Sequence, residues 1–423
     1  MHTYINRIIT SKIFKDSSVY TILNFVEKAI PFLILPLITR MLSSTDVGYF
    51  VFYQAIVEVL MPIFTFNIDA TVLLNYYKLD ERSFNKYFTL GFILFCILFL
   101  LMLTVSFFIY PVIQSKIIFS FKWFMVICLI VAFRFFTQFR QNLWRVKYKL
   151  KQYGFFTIGI SLLKNTLGLG FIYFFSMNWE GLVFGHLIGY FIFSIFSIYT
   201  FYFDKIFIYE KNIKYIQDLF KVGIPLSLHR LGLWMGDAAN RIIITSILGA
   251  AATGSYGIGA TFGLIVTITE DAFTKAFVPH LFDKLKNISE QSKAGIVKLS
   301  YSIYVFLTIV AILVFIIGYY GVEIIYGKQY ADTKDFILPL IIAALFKGYY
   351  KLHVNYIMFT KKTLKITQIT IFTGVINIAL SYILVKTFGI IGAAYSLLMV
   401  NIMQYVLAFY VGNRLIKMPW LRF

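Results

Sequence analysis

Long apolar stretches succeed one another from end to end of the chain, and each predicts a helix that crosses a membrane. A span needs about 20 apolar residues. Stretches of at least that length run over 17–40, 47–76, 86–110, 118–143, 154–176, 180–203, 217–248, 254–281, 295–320, 334–360, 363–386 and 390–413. No polar stretch between them is long enough for a separate globular domain. Several stretches carry Lys, Arg, Asp or Glu well away from either end. A charge at bilayer depth costs roughly 2.5–3.5 kcal/mol on insertion scales. Most of these charges are cations, and a cationic interior reads as a path for something anionic.

Composition agrees with the pattern. The 423 residues are 60% hydrophobic and 14% charged, with mean hydropathy +0.79, whereas soluble domains carry about 25% charged residues. The predicted class is an all-α polytopic membrane protein. The net charge of +20 could suggest nucleic acid, but its placement argues against that partner, because most cations sit in short loops on alternate sides of the spans. One side collects Arg7, Lys12, Lys15, Lys78, Arg82, Lys86, Arg140, Arg145, Lys147, Lys149, Lys151, the lysines of the middle linker, and the basic loops through Arg414, Lys417 and Arg422. The other shows only Arg40, Lys116, Lys122, Lys328, Lys334 and Lys386. The richer side is cytoplasmic by the positive-inside rule, so both termini are expected in the cytoplasm and the number of spans is even. Residues Met1 to Asp16 lack an apolar core followed by a small-residue cleavage site. No cleaved signal peptide is expected, and the first span directs insertion. Cys96 and Cys128 lie inside apolar runs and suggest neither a disulfide nor a metal site.

The two halves echo each other. Residues 38–50 read ITRMLSSTDVGYF and residues 244–256 read ITSILGAAATGSY. At an offset of 206 they pair Ile38 with Ile244, Thr39 with Thr245, Leu42 with Leu248 and Gly48 with Gly254. Each marks a helix end, a short turn and the next helix start. A second echo joins Glu180-Gly181-Leu182 with Ile391-Gly392-Ala393. Six spans per half give a parallel repeat about an axis along the membrane normal. The predicted organisation is a six-helix lobe over 1–203, a charged cytoplasmic linker over 204–218 and a second six-helix lobe over 219–423. Two such lobes can rock around a central cavity.

Apart from the cations assigned to the two sides, seven fall within spans: Lys28, Arg134, Lys164, Arg230, Arg241, Lys347 and Lys351. The acids there are Glu27, Glu58, Asp69 and Asp237, with Glu270 and Asp271 nearer a helix end. Glu27-Lys28 lies halfway along the first span, before Pro31 and Pro36, which permit a bend; it is a candidate for binding, coupling or gating. A merely local ion pair is the bland alternative, but neighbours in sequence do not face each other. Arg230 and Asp237 are seven residues apart on one face, and Arg241, four after Asp237, can pair with it. That leaves Arg230 as a cation for substrate, and its planar fork suits phosphate. Lys347 and Lys351 are one turn apart beside Tyr350, and Lys351 is near enough to a helix end to snorkel. The substrate-binding candidates are therefore Lys28, Arg230, Lys347, Lys351, Arg134 and Lys164. Those for ion coupling or gating are Glu27, Glu58, Asp69, Asp237 and Arg241. The Gly232/Gly236 pair and the stripe Gly181, Gly185 and Gly189 read as close helix packing.

No G-x-x-x-x-G-K-[ST] loop, no H-E-x-x-H motif and no long outer loop is present, so ATP hydrolysis by that route and an outer catalytic site are not expected. The expected protein is a transporter and not an enzyme. No cofactor is expected, and an H⁺ or Na⁺ gradient, the substrate gradient or both would drive it.

With PLITRMLSSTDVGYF at Pro36–Phe50 and NRIIITSILGAAATGSYG at Asn240–Gly257, the chain resembles the polysaccharide flippases of the multidrug/oligosaccharidyl-lipid/polysaccharide (MOP) exporter superfamily, in particular the O-antigen repeat-unit flippases. The resemblance covers essentially the whole chain and implies a MATE-like parallel repeat. It implies a substrate made of a sugar repeat unit on undecaprenyl pyrophosphate, moved from the cytoplasmic to the periplasmic leaflet of the bacterial inner membrane. Lys28, Arg230 and Lys347 would face its head group. It further implies a polysaccharide polymerase and a chain-length regulator as pathway partners. Where the family often carries an acid before the Arg of the second segment, this chain has Asn240, which argues against ion coupling at that position. The alternative within the superfamily is a cation-coupled multidrug exporter, which an excess of buried cations disfavours. The peptidoglycan-precursor flippases usually have two further spans.

Overall fold

The computed structural model describes residues 12–114, 118–286 and 289–420; Arg7, Lys116 and Arg422 lie outside them. Every regular element among the described residues is a helix. In chain order these are α1 (Lys12–Met41), α2 (Ser44–Thr65), α3 (Ile68–Leu74), α4 (Glu81–Ile113), α5 (Phe121–Val146), α6 (Leu150–Phe175) and α7 (Trp179–Phe203). Then follow α8 (Ile213–Asp237), α9 (Ala239–Leu248), α10 (Ala250–Lys286), α11 (Glu290–Tyr326), a 3₁₀ segment (Lys328–Asp335), α12 (Ile337–Phe359), α13 (Thr363–Phe388) and α14 (Ile390–Leu415). Eleven of them are long and apolar enough to cross a membrane. The chain is a multi-pass membrane protein of all-α class.

Two of the expected spans are broken, and at both breaks side chains remote in sequence bond the interrupted helix. The stretch 47–76 divides into α2 and α3 at Phe66 and Asn67, which both adopt left-handed backbone (φ 46° and 48°). A bulky residue seldom holds that conformation, so neighbours must fix it. The Asn67 amide donates to the Thr65 hydroxyl (3.2 Å), and its side chain donates to Ser227 (3.0 Å). The stretch 217–248 divides at Ala238 into α8 and α9. Gly232 and Gly236 precede the break, and glycine weakens a helix by about 1 kcal/mol relative to alanine. The Met235 carbonyl beside it accepts from Asn377 Nδ2 (2.9 Å), as a loosened helix inside a membrane protein requires. By contrast α1 runs unbroken through Pro31 and Pro36.

The chain packs as two compact units. The first comprises residues up to Ile38 together with Tyr53–Leu231; the second comprises Thr39–Phe52 and residues from Gly232 on. Phenylalanine, 47 residues of the chain, builds the first unit's core. Phe95 stacks on Phe135 (centroids 3.6 Å apart) and Phe88 on Phe139 (4.5 Å), joining α4 to α5, and Phe201 of α7 packs edge-on to Phe88. The linker is pinned to this unit. Asp204 accepts from the buried Arg140 (2.5 Å), Glu210 pairs with Lys86, the Ile208 amide donates to Thr89 (2.9 Å), and Asp218 accepts from Tyr87 (2.6 Å). Residues 206–212 have no regular structure, and a helix starts only at Ile213.

In the second unit the start of α2 crosses the start of α10 at backbone contact. Gly48 faces the carbonyl of Ala250, and Gly254 faces the carbonyl of Ser44. Ser44 and Ala250 are themselves partners at the 206-residue offset, as are Gly48 and Gly254. Each half thus presents the same glycine to the same carbonyl of the other. On the same offset Val51 meets Gly257, where an added Cβ would lie 2.6 Å from the valine. This reciprocity is what a two-fold relation between repeats produces.

Candidate functional site

A cavity of about 670 Å³ opens in the first unit, walled by α1, α3, α5, α6, α7 and α8. Helix α5 supplies its longest wall. Arg134, Gln138, Gln141, Asn142 and Arg145 recur at helical spacing on one face and line the cavity. Phe135, Phe139 and Leu143 lie on the adjoining face, fully buried in the phenylalanine core. This amphipathic helix turns its polar stripe inward toward a space in the protein.

The cationic part of the wall combines residues from three helices. Arg134 Nη1 pairs with Glu58 Oε1 of α2 at 2.8 Å. Lys164 of α6 donates to the Tyr190 hydroxyl (3.3 Å) and sits 5.2 Å from that ring's centre. The glycine stripe of α7 sets this geometry. A Cβ on Gly185 would lie 2.5 Å from the Lys164 carbonyl, and one on Gly189 would lie 2.8 Å from Lys164 Cβ. Only glycine lets the α6 backbone come that close. Arg230 of α8 also lines the cavity. No hydrogen bond or ion pair joins it to another described side chain, which leaves its five donors for a ligand. Two acids share the wall, Glu27 and Asp69. The break before α3 presents Asp69 to it, and α1 is held alongside by Ser161, whose hydroxyl donates to the Glu27 carbonyl (3.2 Å).

The structure thus gathers Glu27, Asp69, Arg134, Lys164 and Arg230 around one space, with Glu58 behind Arg134. Lys28 is half-buried on α1 and does not line it. Lys347, Lys351 and Arg241 belong to the second unit. There Lys351 is bound by two acids, Glu270 Oε2 at 2.8 Å and Asp271 Oδ1 at 2.6 Å, and Thr274 donates to Glu270. Snorkelling to a helix end does not describe Lys351, because the buried Glu270 and the half-buried Asp271 hold it in place. The Asp237 side chain lies outside the described residues, so its expected pairing with Arg241 does too. Gly232 packs against Ile371 and against Gly374 of α13, the packing role its spacing predicts. The wall residues that sequence reasoning passed over are Gln138, Gln141, Asn142, Tyr77 and Tyr190, and Arg145, which counted there as a loop cation. The polar stripe of α5 was the available signal, and an uncharged amide inside a span draws less notice than a charge.

Outside the spans, Asp80 caps α4. It accepts from the Ser83 amide (3.2 Å), and bonds from Ser83 hold its carboxyl below the usual range.

Solved structures place this architecture in a class. The chain superposes on the lipid II flippase MurJ in its inward closed conformation with a TM-score of 0.74 at 13% identity, covering 95% of this chain and 87% of that one. It superposes on the inward-facing conformation of a multidrug resistance MATE family transporter of the MOP superfamily with a TM-score of 0.65 at 15% identity, covering 92% and 97%. The fold is that of the MOP superfamily transporters. Within it, the model of the polysaccharide biosynthesis protein family matches residues 13–284, and the chain belongs to that family. It is also 24% identical over 382 residues to Lsg locus putative protein 1 of Haemophilus influenzae, covering 87% of this chain and 90% of that protein.

Proposed function

We propose that the protein is a flippase for undecaprenyl-pyrophosphate-linked oligosaccharide repeat units, O-antigen or a similar surface polysaccharide, which it moves from the cytoplasmic to the periplasmic leaflet of the bacterial inner membrane by alternating access. Family membership supports the pathway. The observation that carries the reading is the cavity wall: Arg230 is unpaired among the described residues and lines the same space as Lys164, which donates to the Tyr190 hydroxyl, so Arg230 faces a ligand with no acid bound to it. A pyrophosphate needs that arrangement, and its lipid tail can stay in the bilayer. No bond of the substrate changes. Both termini lie in the cytoplasm in this reading. In this reading Glu27 on the wall couples an H⁺ or Na⁺ gradient. The polymerase and chain-length regulator of the same pathway are the expected partners.

The test is complementation of a bacterium that lacks its repeat-unit flippase, scored as surface polysaccharide at matched membrane expression. Wild type should restore it. Arg230→Ala should lower the rate at least about tenfold, since a hydrogen bond to a charged group is worth roughly 1.5–3 kcal/mol. Equal rescue by both would keep the flippase and remove Arg230 from the site. No rescue by wild type in the native host's own deletion strain would reject the flippase in favour of the multidrug exporter.

A further inference from the structure

The cavity wall contains a second chemistry that a pyrophosphate does not use. Asp69 is 2% exposed, and its Oδ2 accepts two hydrogen bonds, from Gln138 Nε2 (3.1 Å) and Asn142 Nδ2 (3.0 Å). These donors lie one turn apart on α5, so a single helix face clamps the carboxylate. Beside them Gln141 Nε2 donates to the Thr157 hydroxyl (3.1 Å). Tyr77 stands at the rim, 69% exposed, its hydroxyl donating to the Val146 carbonyl (3.3 Å). All of these residues line the same cavity as Arg134, Lys164 and Arg230.

We propose that Asp69, Gln138 and Asn142 form a subsite that reads the hydroxyl groups of a sugar ring, apart from the cations that face the pyrophosphate. The inference rests on the flippase reading above. Its first support is donor and acceptor balance. A carboxylate has about four acceptor positions and a carboxamide offers both an oxygen and two N–H groups. With Oδ2 occupied by two amides, the second oxygen of Asp69 and the amide oxygens remain as acceptors, and the spare N–H groups remain as donors. Each sugar hydroxyl donates and accepts, so adjacent hydroxyls match this array. A phosphate does not, because Asp69 repels it. Placement is the second support. Gln138 is one helical turn from Arg134 and Asn142 is two, about 6 and 12 Å along α5, a distance that suits a sugar attached to a phosphate. The third is the Tyr77 ring, an apolar face for the C–H side of a pyranose. The strained break at Phe66–Asn67 fits the same role, since left-handed backbone at a bulky residue persists where surrounding structure fixes it, often beside ligand clamps. Asp69 is accordingly a recognition residue here and not an ion-coupling one.

The experiment measures binding of two probes to the purified full chain by native mass spectrometry. One is bare undecaprenyl pyrophosphate. The other is the same carrier bearing the repeat unit, extracted from a native host that lacks this protein. Wild type should prefer the sugar-bearing carrier at least about tenfold, the worth of one charge-assisted hydrogen bond. Asp69→Asn should lose most of that preference and keep its affinity for the bare carrier, whereas Arg230→Ala should weaken both. Gln138→Ala, which leaves the carboxylate in place, carries the test if Asp69→Asn melts early. The subsite is overturned if Asp69→Asn and Gln138→Ala keep the wild-type preference, or weaken both probes equally. Equal wild-type affinity for the two probes overturns the subsite and leaves the flippase standing. Binding of neither probe rejects the flippase reading itself.

Discussion

Gly48→Ala is expected to cost the protein more stability than almost any other single methyl group. The added Cβ would fall on the Ala250 carbonyl, a backbone atom in the first turn of α10 that no rotamer change can move. Helices α2 and α10 would have to separate. Overpacking of a close-packed site costs about 1–3 kcal/mol, occasionally more, against total stabilities of about 5–15 kcal/mol. Gly254→Ala should behave alike, because it strikes the Ser44 carbonyl in the same crossing. The double variant should cost less than the sum of the two, since once the helices part both methyl groups find room. Melting of the detergent-purified protein would show this as a fall of roughly 5 °C for each single variant. Gly170→Ala is the control: a Cβ there meets nothing within 4 Å, and an alanine in mid-helix should gain about 0.5–1 kcal/mol. Unchanged melting in both Gly48→Ala and Gly254→Ala would mean that the crossing is looser than described.

Lys351→Met is expected to destabilise the second unit by about 3–5 kcal/mol, the usual cost of stranding a buried partner charge. Glu270 is the partner that suffers, with a side chain only 1% exposed. Asp271, 30% exposed, is better able to find solvent. Adding Glu270→Gln should therefore recover most of the loss, because the charge that lacked a partner is gone and the amide can still accept from Thr274. The readout is melting temperature together with membrane yield for the two single variants and the double. If Lys351→Met melts like wild type and yet abolishes transport, Lys351 serves the substrate, as its sequence position suggests. If the double variant is no better than Lys351→Met, the lysine contributes through packing of its stem and not through the ion pair.

Sequence by itself determined the class of this protein and most of its spans. Apolar length is a local property, because a bilayer requires each helix to satisfy its own backbone hydrogen bonds whatever its neighbours do. The offset between Gly48 and Gly254 was also readable, and the reciprocal crossing of α2 and α10 is its structural expression. Charge inside an apolar run likewise marked Arg134, Lys164, Arg230, Glu27 and Asp69, which line one cavity. Only tertiary structure decided what each charge meets. Lys351 and Arg230 look alike along the chain. One is bound by Glu270 and Asp271, roughly eighty residues earlier, and the other faces open space. Pairing depends on rotation about each helix axis and on neighbours remote in sequence, neither of which periodicity fixes. The amides Gln138, Gln141 and Asn142 were hidden for the same reason: an uncharged polar side chain in a span is cheap enough to serve packing or recognition. The break at Phe66–Asn67, which turns Asp69 toward them, follows Pro62 in the stretch itself and is fixed by contacts such as that with Ser227.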